Sequence, residues 1–327
     1  MHSLFKVAVL AAFSALTAHS FAADNYKVRD LAPEDGSFVW GDAPALNIHG
    51  QVGGYGVMPN GDWHAVLTGP NGKGVADLGT LPGGSKARVR GINSDGDVVG
   101  DSDTPAGKRG FYLLSWPGSE MESVAGPVTG INIRRGILII GGGGSCFYTI
   151  FRGKATCYGH RTSLAINDKG MVTGNDISTP GGEAFFSPHS GKHEQLIGLL
   201  DGDASAATAL DSDGRVVGWV HRASGNQAFV TDPAGVNMRY IPLSGNAADS
   251  RAYGIGDLGQ VVGYYSRLDT GKQSAFLATA PDYAMVDLNT LAAMPAGVAA
   301  QSALSVNGKG QITVKGSNNH YYLLTPR

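Results

Sequence analysis

The stretch "GINSDGDVVGDSD", residues 91 to 103, admits two readings. Asn93, Asp95 and Asp97 alternate around Gly96 as the oxygen donors of a calcium loop do. The same residues suit a tight turn between two short strands, with Asn first and Gly where the backbone turns left-handed.

Related segments elsewhere in the chain decide between the two. They are "ALNIHGQVGGY" from Ala45, "TGINIRRGILIIGG" from Thr129, "LAINDKGMVTGN" from Leu164, "TALDSDGRVVGW" from Thr208, "YGIGDLGQVVGY" from Tyr253 and "LSVNGKGQITVKG" from Leu304. The position of Asn93 is held in turn by Asn47, Asn132, Asn167, Asp211, Gly256 and Asn307. A glycine recurs in all seven segments and the acids do not: "NIHG", "NDKG", "GDLG" and "NGKG" carry at most one. A metal site would have to keep its carboxylates, whereas a turn has only to keep its backbone. The turn reading is therefore preferred, with calcium at Asn93, Asp95 and Asp97 as the alternative for that copy alone.

The copies are 46, 39, 35, 44, 45 and 51 residues apart. That is about the 40–45 residues of one four-stranded propeller blade. Each unit continues with an Ala-Phe type strand, as in "QAFV" at Gln227 and "SAFL" at Ser274, and then a fourth strand, as in "VADLGTL" ending at Leu81. The chain finishes after a third strand, "YYLLTP", and opens after residue 24 with "NYKVRDLAP", which reads as a lone fourth strand. The expected fold is all-β: a seven-bladed β-propeller over residues 23–327, closed when the N-terminal strand completes the last blade. Closure of this kind removes exposed sheet edges. The unit at residues 127 to 159 is the least regular, and its fourth strand is not evident. "GGGGS" at 141 to 145 reads as a loop, since no helix or Lys-Ser/Thr follows to make a phosphate cradle.

Composition agrees with short strands and tight turns: 49 glycines in 327 residues and only 16% charged side chains. The net charge is −2 and no segment concentrates Lys and Arg, so the footprint of a nucleic-acid partner is missing. Lys6, an apolar run over residues 7 to 18, and small residues Ser20 and Ala22 form a signal-peptide pattern over residues 1–22. The run is too short for a membrane span. The expectation is an exported protein, periplasmic or secreted. Cys146 and Cys157 flank "FYTIFRGKAT", a strand-turn-strand segment, and export permits a disulfide between them.

Taken together, "GINSDGDVVG", "QAFV" and "DLGTLPGG" resemble the HAF repeat family of bacterial exported proteins, over nearly the whole chain after the leader. The resemblance implies an extracellular repeat architecture and carries over no activity, ligand or catalytic residue.

In a propeller, the loops joining strand two to three and strand four to one share one face. The expected loops of that face hold His64, Arg109, Trp219, His221, Tyr264, Tyr265 and Arg251, along with Arg88, His160, Arg161, Asp201 and Asp203. Aromatic faces there suit stacking on sugar rings. No metalloprotease helix, nucleophile elbow or paired-carboxylate spacing is present in the sequence, and no cofactor is implied. The reading is a binding module for an extracellular polysaccharide, peptide or protein partner. The alternative is a lyase or hydrolase acting on a polymer at the same face.

For the cysteines, alkylation of unreduced, denatured protein is expected to add no mass, and alkylation after reduction two labels. Two labels without reduction would remove the disulfide.

Overall fold

The computed structural model describes residues 25–327 other than 142–143, 160, 190–192, 244 and 246. The expected leader and His160 lie outside the described residues. The strands assemble into seven four-stranded antiparallel sheets. Blade 1 is Val39–Leu46, Val52–Val57, Trp63–Thr68 and Val75–Gly79; blade 2 is Ala87–Ile92, Val98–Ser102, Arg109–Leu113 and Glu122–Val124. Blade 3 is Val128–Ile131, Gly136–Gly141, Gly144–Thr149 and Lys154–Gly159; blade 4 is Arg161–Ile166, Val172–Asp176, Glu183–Ser187 and Gln195–Leu196. Blade 5 is Ala204–Leu210, Val216–Arg222, Gly225–Val230 and Arg239–Tyr240; blade 6 is Ala247–Ile255, Gln260–Arg267, Gln273–Thr279 and Met285–Asp287. Blade 7 is Ala300–Val306, Ile312–Gly316 and Tyr321–Pro326, completed by Tyr26–Asp30, whose Tyr26 lies opposite Pro326.

The ring is a seven-bladed β-propeller. Among the described residues, helix is confined to three single 3-10 turns, and no helix is long and apolar enough to cross a membrane.

The repeated motifs now have physical causes. In all seven blades the first strand bulges against the second, shifting register by one residue. At the bulge a first-strand carbonyl closes on the glycine of the Val-Val-Gly run. A Cβ on Gly100 would lie 1.9 Å from the Arg88 oxygen, and one on Gly218 would lie 1.9 Å from the Ala206 oxygen. No side chain fits there, and the bulge adds the strong twist a blade needs. The Ala-Phe strands supply the core: Phe111, Phe185, Phe229 and Phe276 are fully buried. They pack in layers between blades. One layer joins Val217, Ala228 and Val230 of blade 5 to Ala252, Val261, Tyr265 and Phe276 of blade 6. First strands of all seven blades line an axial channel of about 530 Å³, where small residues allow close approach. A Cβ on Gly91 would come 3.3 Å from the Gly130 Cα.

The opening segment is a turn that also joins blades. In the Asn copies the side-chain oxygen accepts backbone amides of its own turn: Asn47 Oδ1 takes the amides of His49 and Gln51, and Asn307 Oδ1 those of Lys309 and Gln311. The side-chain NH2 donates to a carbonyl of the next blade. Asn47 reaches the Asn93 oxygen (3.1 Å), Asn93 that of Asn132 (3.3 Å), Asn167 that of Asp211 (2.8 Å) and Asn307 that of Asn47 (2.8 Å).

The acids beside Asn93 are committed elsewhere. Asp97 is wholly buried; its carboxylate accepts from Ser115, Asn93 and Arg135 Nε of blade 3 at 2.8 Å. Burial works to raise the Asp97 carboxyl, but these hydrogen bonds and the Arg135 charge outweigh it and hold it below the usual range. Asp95 lies 3.7 Å from the same arginine, and Asp101 is ringed by Arg88, Arg90 and Lys108. Among the described residues no three His, Cys, Asp or Glu side chains gather to hold a metal ion.

Blade 3 departs from the sequence reading in two respects. Its fourth strand exists, Lys154–Gly159, and pairs with Gly144–Thr149 in a register that places Cys146 opposite Cys157. Those cysteines form a disulfide, with Cα atoms 4.0 Å apart. Closing a loop of 11 residues corresponds to about 2–3 kcal/mol in the chain-entropy account. The glycine of this copy is also displaced. In the other six copies Gly50, Gly96, Gly170, Gly214, Gly259 and Gly310 hold the left-handed position, with φ between 71° and 87°. In blade 3 that position belongs to Arg135, at φ 58°. Its side chain, which Gly lacks, makes the bridge to Asp97.

The Asn belt is open to test. Asn307→Asp keeps the turn acceptor and removes the donor that joins blade 7 to blade 1. It is expected to lower unfolding stability by about 1–3 kcal/mol in urea titration. An unchanged midpoint would mean that junction contributes nothing.

Candidate functional site

The face carrying the two-to-three hairpins and four-to-one connections differs from blade to blade, and one cleft on it is polar and incompletely satisfied. Its volume is about 680 Å³, and it lies where blades 4, 5 and 6 meet. Pro180 and Gly181 come from the blade 4 hairpin, and Asp203 from the connection into blade 5. Trp219 and His221 come from the second strand of blade 5, Asn226 from its third, and Arg251 from the first strand of blade 6.

Arg251 lays its guanidinium carbon 4.6 Å from the centre of the Trp219 ring. A cation over an indole face is attracted by the ring quadrupole and is held flat. Among the described residues the buried Arg251 Nε makes no hydrogen bond, and neither does the buried Oδ1 of Asn226. The amide of Asn226 is oriented by its NH2, which donates to Asp249 Oδ2 at 2.9 Å. Nδ1 of His221 lies 2.7 Å from Asp203 Oδ1, which orients the ring. The cleft thus offers an unused donor, an unused acceptor, a flat aromatic and a positioned imidazole. Buried polar atoms are nearly always paired, by protein, water or ligand, and two that lack a protein partner among the described residues border this cleft.

The expected site residues divide sharply. Trp219, His221 and Arg251 come together, and all three sit on strands rather than in loops. His64 and Arg109 do not join them. His64 lies in the third strand of blade 1, 2.8 Å from Asp77, and Arg109 begins the third strand of blade 2 with its side chain exposed. Tyr264 and Tyr265, neighbours on one strand, point to opposite sides of the sheet. Tyr265 is buried in the layer between blades 5 and 6, and its hydroxyl donates to Asp287. Tyr264 is buried beside Tyr253, ring centres 5.7 Å apart. Neither tyrosine leaves a ring face for a ligand to stack on, because the blade itself occupies them. Burial pushes the Tyr264 phenol up to about 12, with Arg251 pulling the other way.

Asp201 and Asp203 do not converge either: Asp201 pairs with Arg222 and Tyr240, and Asp203 with His221. Two further His–Asp contacts, His64–Asp77 and His320–Asp30, sit on blades 1 and 7. A pair that recurs at three rims is mainly a way of tying down an exposed histidine. The His221 pair is distinguished by lining the cleft with Arg251. Asn226 was not anticipated; it lies in an ordinary-looking hairpin, "ASGNQAF", and no local signal marks it.

No family model and no curated protein matches the chain. Among solved structures, a chain of the mitotic checkpoint complex superposes with a TM-score of 0.54 at 9% identity, covering 100% of both chains. The acylaminoacyl peptidase of Pyrococcus horikoshii gives 0.52 at 11% identity, covering 88% of this chain and 50% of the peptidase. A prolyl endopeptidase gives 0.50 at 11% identity, covering 93% of this chain and 47% of that one. The chain therefore spans about half the length of these two peptidases. At such identities the likeness establishes the fold alone.

The raised Tyr264 pKa has a consequence at high pH. Its folded value stands above the ordinary 10.0, so the neutral ring favours the native state fully below pH 10 and that contribution drains as pH rises towards 12. Tyr264→Phe is expected to flatten the loss of stability across that window, measured by urea unfolding at stepped pH. A slope identical to the parent's would show that Tyr264 titrates as if unfolded.

Proposed function

We propose that this chain is an exported binding module that recognises an extracellular polysaccharide through the cleft at Trp219, Arg251, His221 and Asn226. The observation that carries the reading is the pair of unpartnered polar atoms, Arg251 Nε and Asn226 Oδ1, beside an indole ring. A sugar supplies what each lacks: a carboxylate or ring oxygen to accept from Arg251, a hydroxyl to donate to Asn226, and an apolar face for the aromatic edge. A carboxylated sugar fits best, because no carboxylate among the described residues pairs with Arg251.

Export is supported by the leader pattern at residues 1–22 and by the disulfide between Cys146 and Cys157. The resemblance to HAF repeat proteins points the same way. Binding is preferred to catalysis because the hydrogen-bonded titratable pair of the cleft, His221 and Asp203, comes from blade 5 and its leading connection. An enzyme of this plan would bring titratable groups from separate blades within hydrogen-bond reach. The second reading, a lyase, rests on that same pair: an oriented imidazole as base, with Arg251 neutralising the carboxylate of an acidic sugar.

The test is a thermal-shift and calorimetric screen of the chain after residue 22 against neutral and uronate-containing glycans. A ligand at 100 times its dissociation constant stabilises by about 2.7 kcal/mol. Binding to uronate polymers is expected, with Arg251→Ala and Trp219→Ala each weakening it by about 1–3 kcal/mol. Preference for neutral glycans, or binding indifferent to both variants, would move the site elsewhere. Appearance of an unsaturated uronate product, lost in His221→Ala, would favour the lyase.

A further inference from the structure

Blade 3 carries an excess of positive charge, of which the fold engages Arg135. Between residues 127 and 159 the sequence holds Arg134, Arg135, Arg152 and Lys154 and no Asp or Glu, in a chain whose net charge is −2. Arg135 is committed to Asp97 of blade 2 and to the rings of Trp116 and Phe151. Arg134 and Arg152 have no carboxylate within ion-pair distance among the described residues.

These two arginines are exposed but not isolated. With Lys169 they line a concavity of about 310 Å³ between blades 3 and 4, together with Phe147 and Thr149. It lies on the face of the Asn turns, opposite the Trp219 cleft. The three cations come from three separate segments: Arg134 from the first turn of blade 3, Arg152 from its last turn and Lys169 from the first turn of blade 4. Among the described residues Lys169 pairs with Asp213 alone, at 3.4 Å. Gathering like charges in one concavity is unfavourable unless an anion sits among them. Blade 3 supplies no acid to pair with Arg134 and Arg152; the acids at the rim, Asp168 and Asp213, come from blades 4 and 5, and Asp168 is held by the Ile133 amide at 2.8 Å.

We propose that this concavity binds a tetrahedral oxyanion, a phosphate or sulfate group. Two guanidinium forks present paired N–H donors that match such oxygens, and Lys169 adds a mobile point charge. The Thr149 hydroxyl supplies a neutral donor, and the Phe147 ring gives a dry wall for the carbon skeleton of an ester. The group could reach the site as the free ion or as a monoester on a sugar, and the chemistry of recognition is the same. The site is independent of the cleft on the opposite face and stands or falls without it.

The experiment is isothermal titration of the chain with inorganic phosphate, inorganic sulfate, glucose 6-phosphate and glucose 6-sulfate at constant ionic strength, with chloride as the reference salt. Saturable binding of at least one oxyanion is expected, weakened about tenfold or more in the Arg134→Ala/Arg152→Ala double variant. All three cations are exposed, so the variant is expected to fold, and its melting curve checks that. The Arg134→Lys/Arg152→Lys variant keeps the charge and loses the forks; affinity between parent and alanine variant supports the bidentate geometry. The free ions binding as well as the esters would identify an ion site, and tighter esters a site for a substituted sugar. Equal binding by parent and alanine variant, or heats no different from chloride for all four ligands, would overturn the proposal.

Discussion

The carboxamide of the turn asparagine is the directed interaction at four of the seven junctions of the ring. A blade's strands are hydrogen-bonded within the blade, and between blades there is mainly apolar packing, which is strong but undirected. The asparagine adds direction. Its oxygen shapes its own turn by accepting two backbone amides, and its nitrogen donates to the carbonyl at the corresponding place one blade on. A carboxylate could do the first task and not the second. Blade 5 shows the difference: Asp211 keeps the turn bonds, turns its other oxygen to Arg215, and leaves the link to blade 6 to the Ser212 amide on Asp257 and the Thr208 hydroxyl on the Ala252 carbonyl. Each junction couples nearest neighbours only, as in other repeat proteins, and the ring makes every blade a neighbour of two others.

Because that device recurs with the fold, the fold was legible. Asn at the turn, Gly at its left-handed end, Val-Val-Gly at the bulge and Ala-Phe in the core each answer a constraint that returns about every 43 residues. Blade 3 was harder to read for a physical reason. Its fourth strand, "KATCYG", ends one residue before the first strand of blade 4 begins, so no Gly-Pro-rich connection announces it. Its turn glycine stands one place late because Arg135 needs the left-handed position to reach across to Asp97.

The cleft was legible only in part. Its face could be deduced from strand order, and Trp219, His221 and Arg251 stood out as unusual residues there. Which of the unusual residues meet could not be deduced. Tyr264 and Tyr265 look as suitable as Trp219 in sequence, yet strand alternation and the depth of blade 6 bury both. Asn226 matters because its oxygen is left without a partner, and an absent hydrogen bond leaves no trace in a local motif. Repetition reveals what every blade must do, and the proposed site lies where blades differ from one another.

The strand Tyr26–Asp30 brings a consequence in time. It is made before any blade and finds its partner, Tyr321–Pro326, after all of them. Relative to a local hairpin, that pairing spans roughly six more doublings of loop length, an added entropic cost of about 3.5 kcal/mol. A chain delivered from its N-terminus therefore travels with one unpaired strand at its head and an open blade at its tail until the last six residues of sheet arrive. The ring is sealed in a single late event, so a ribosome that stalls short of Tyr321 releases an arc with two sticky ends.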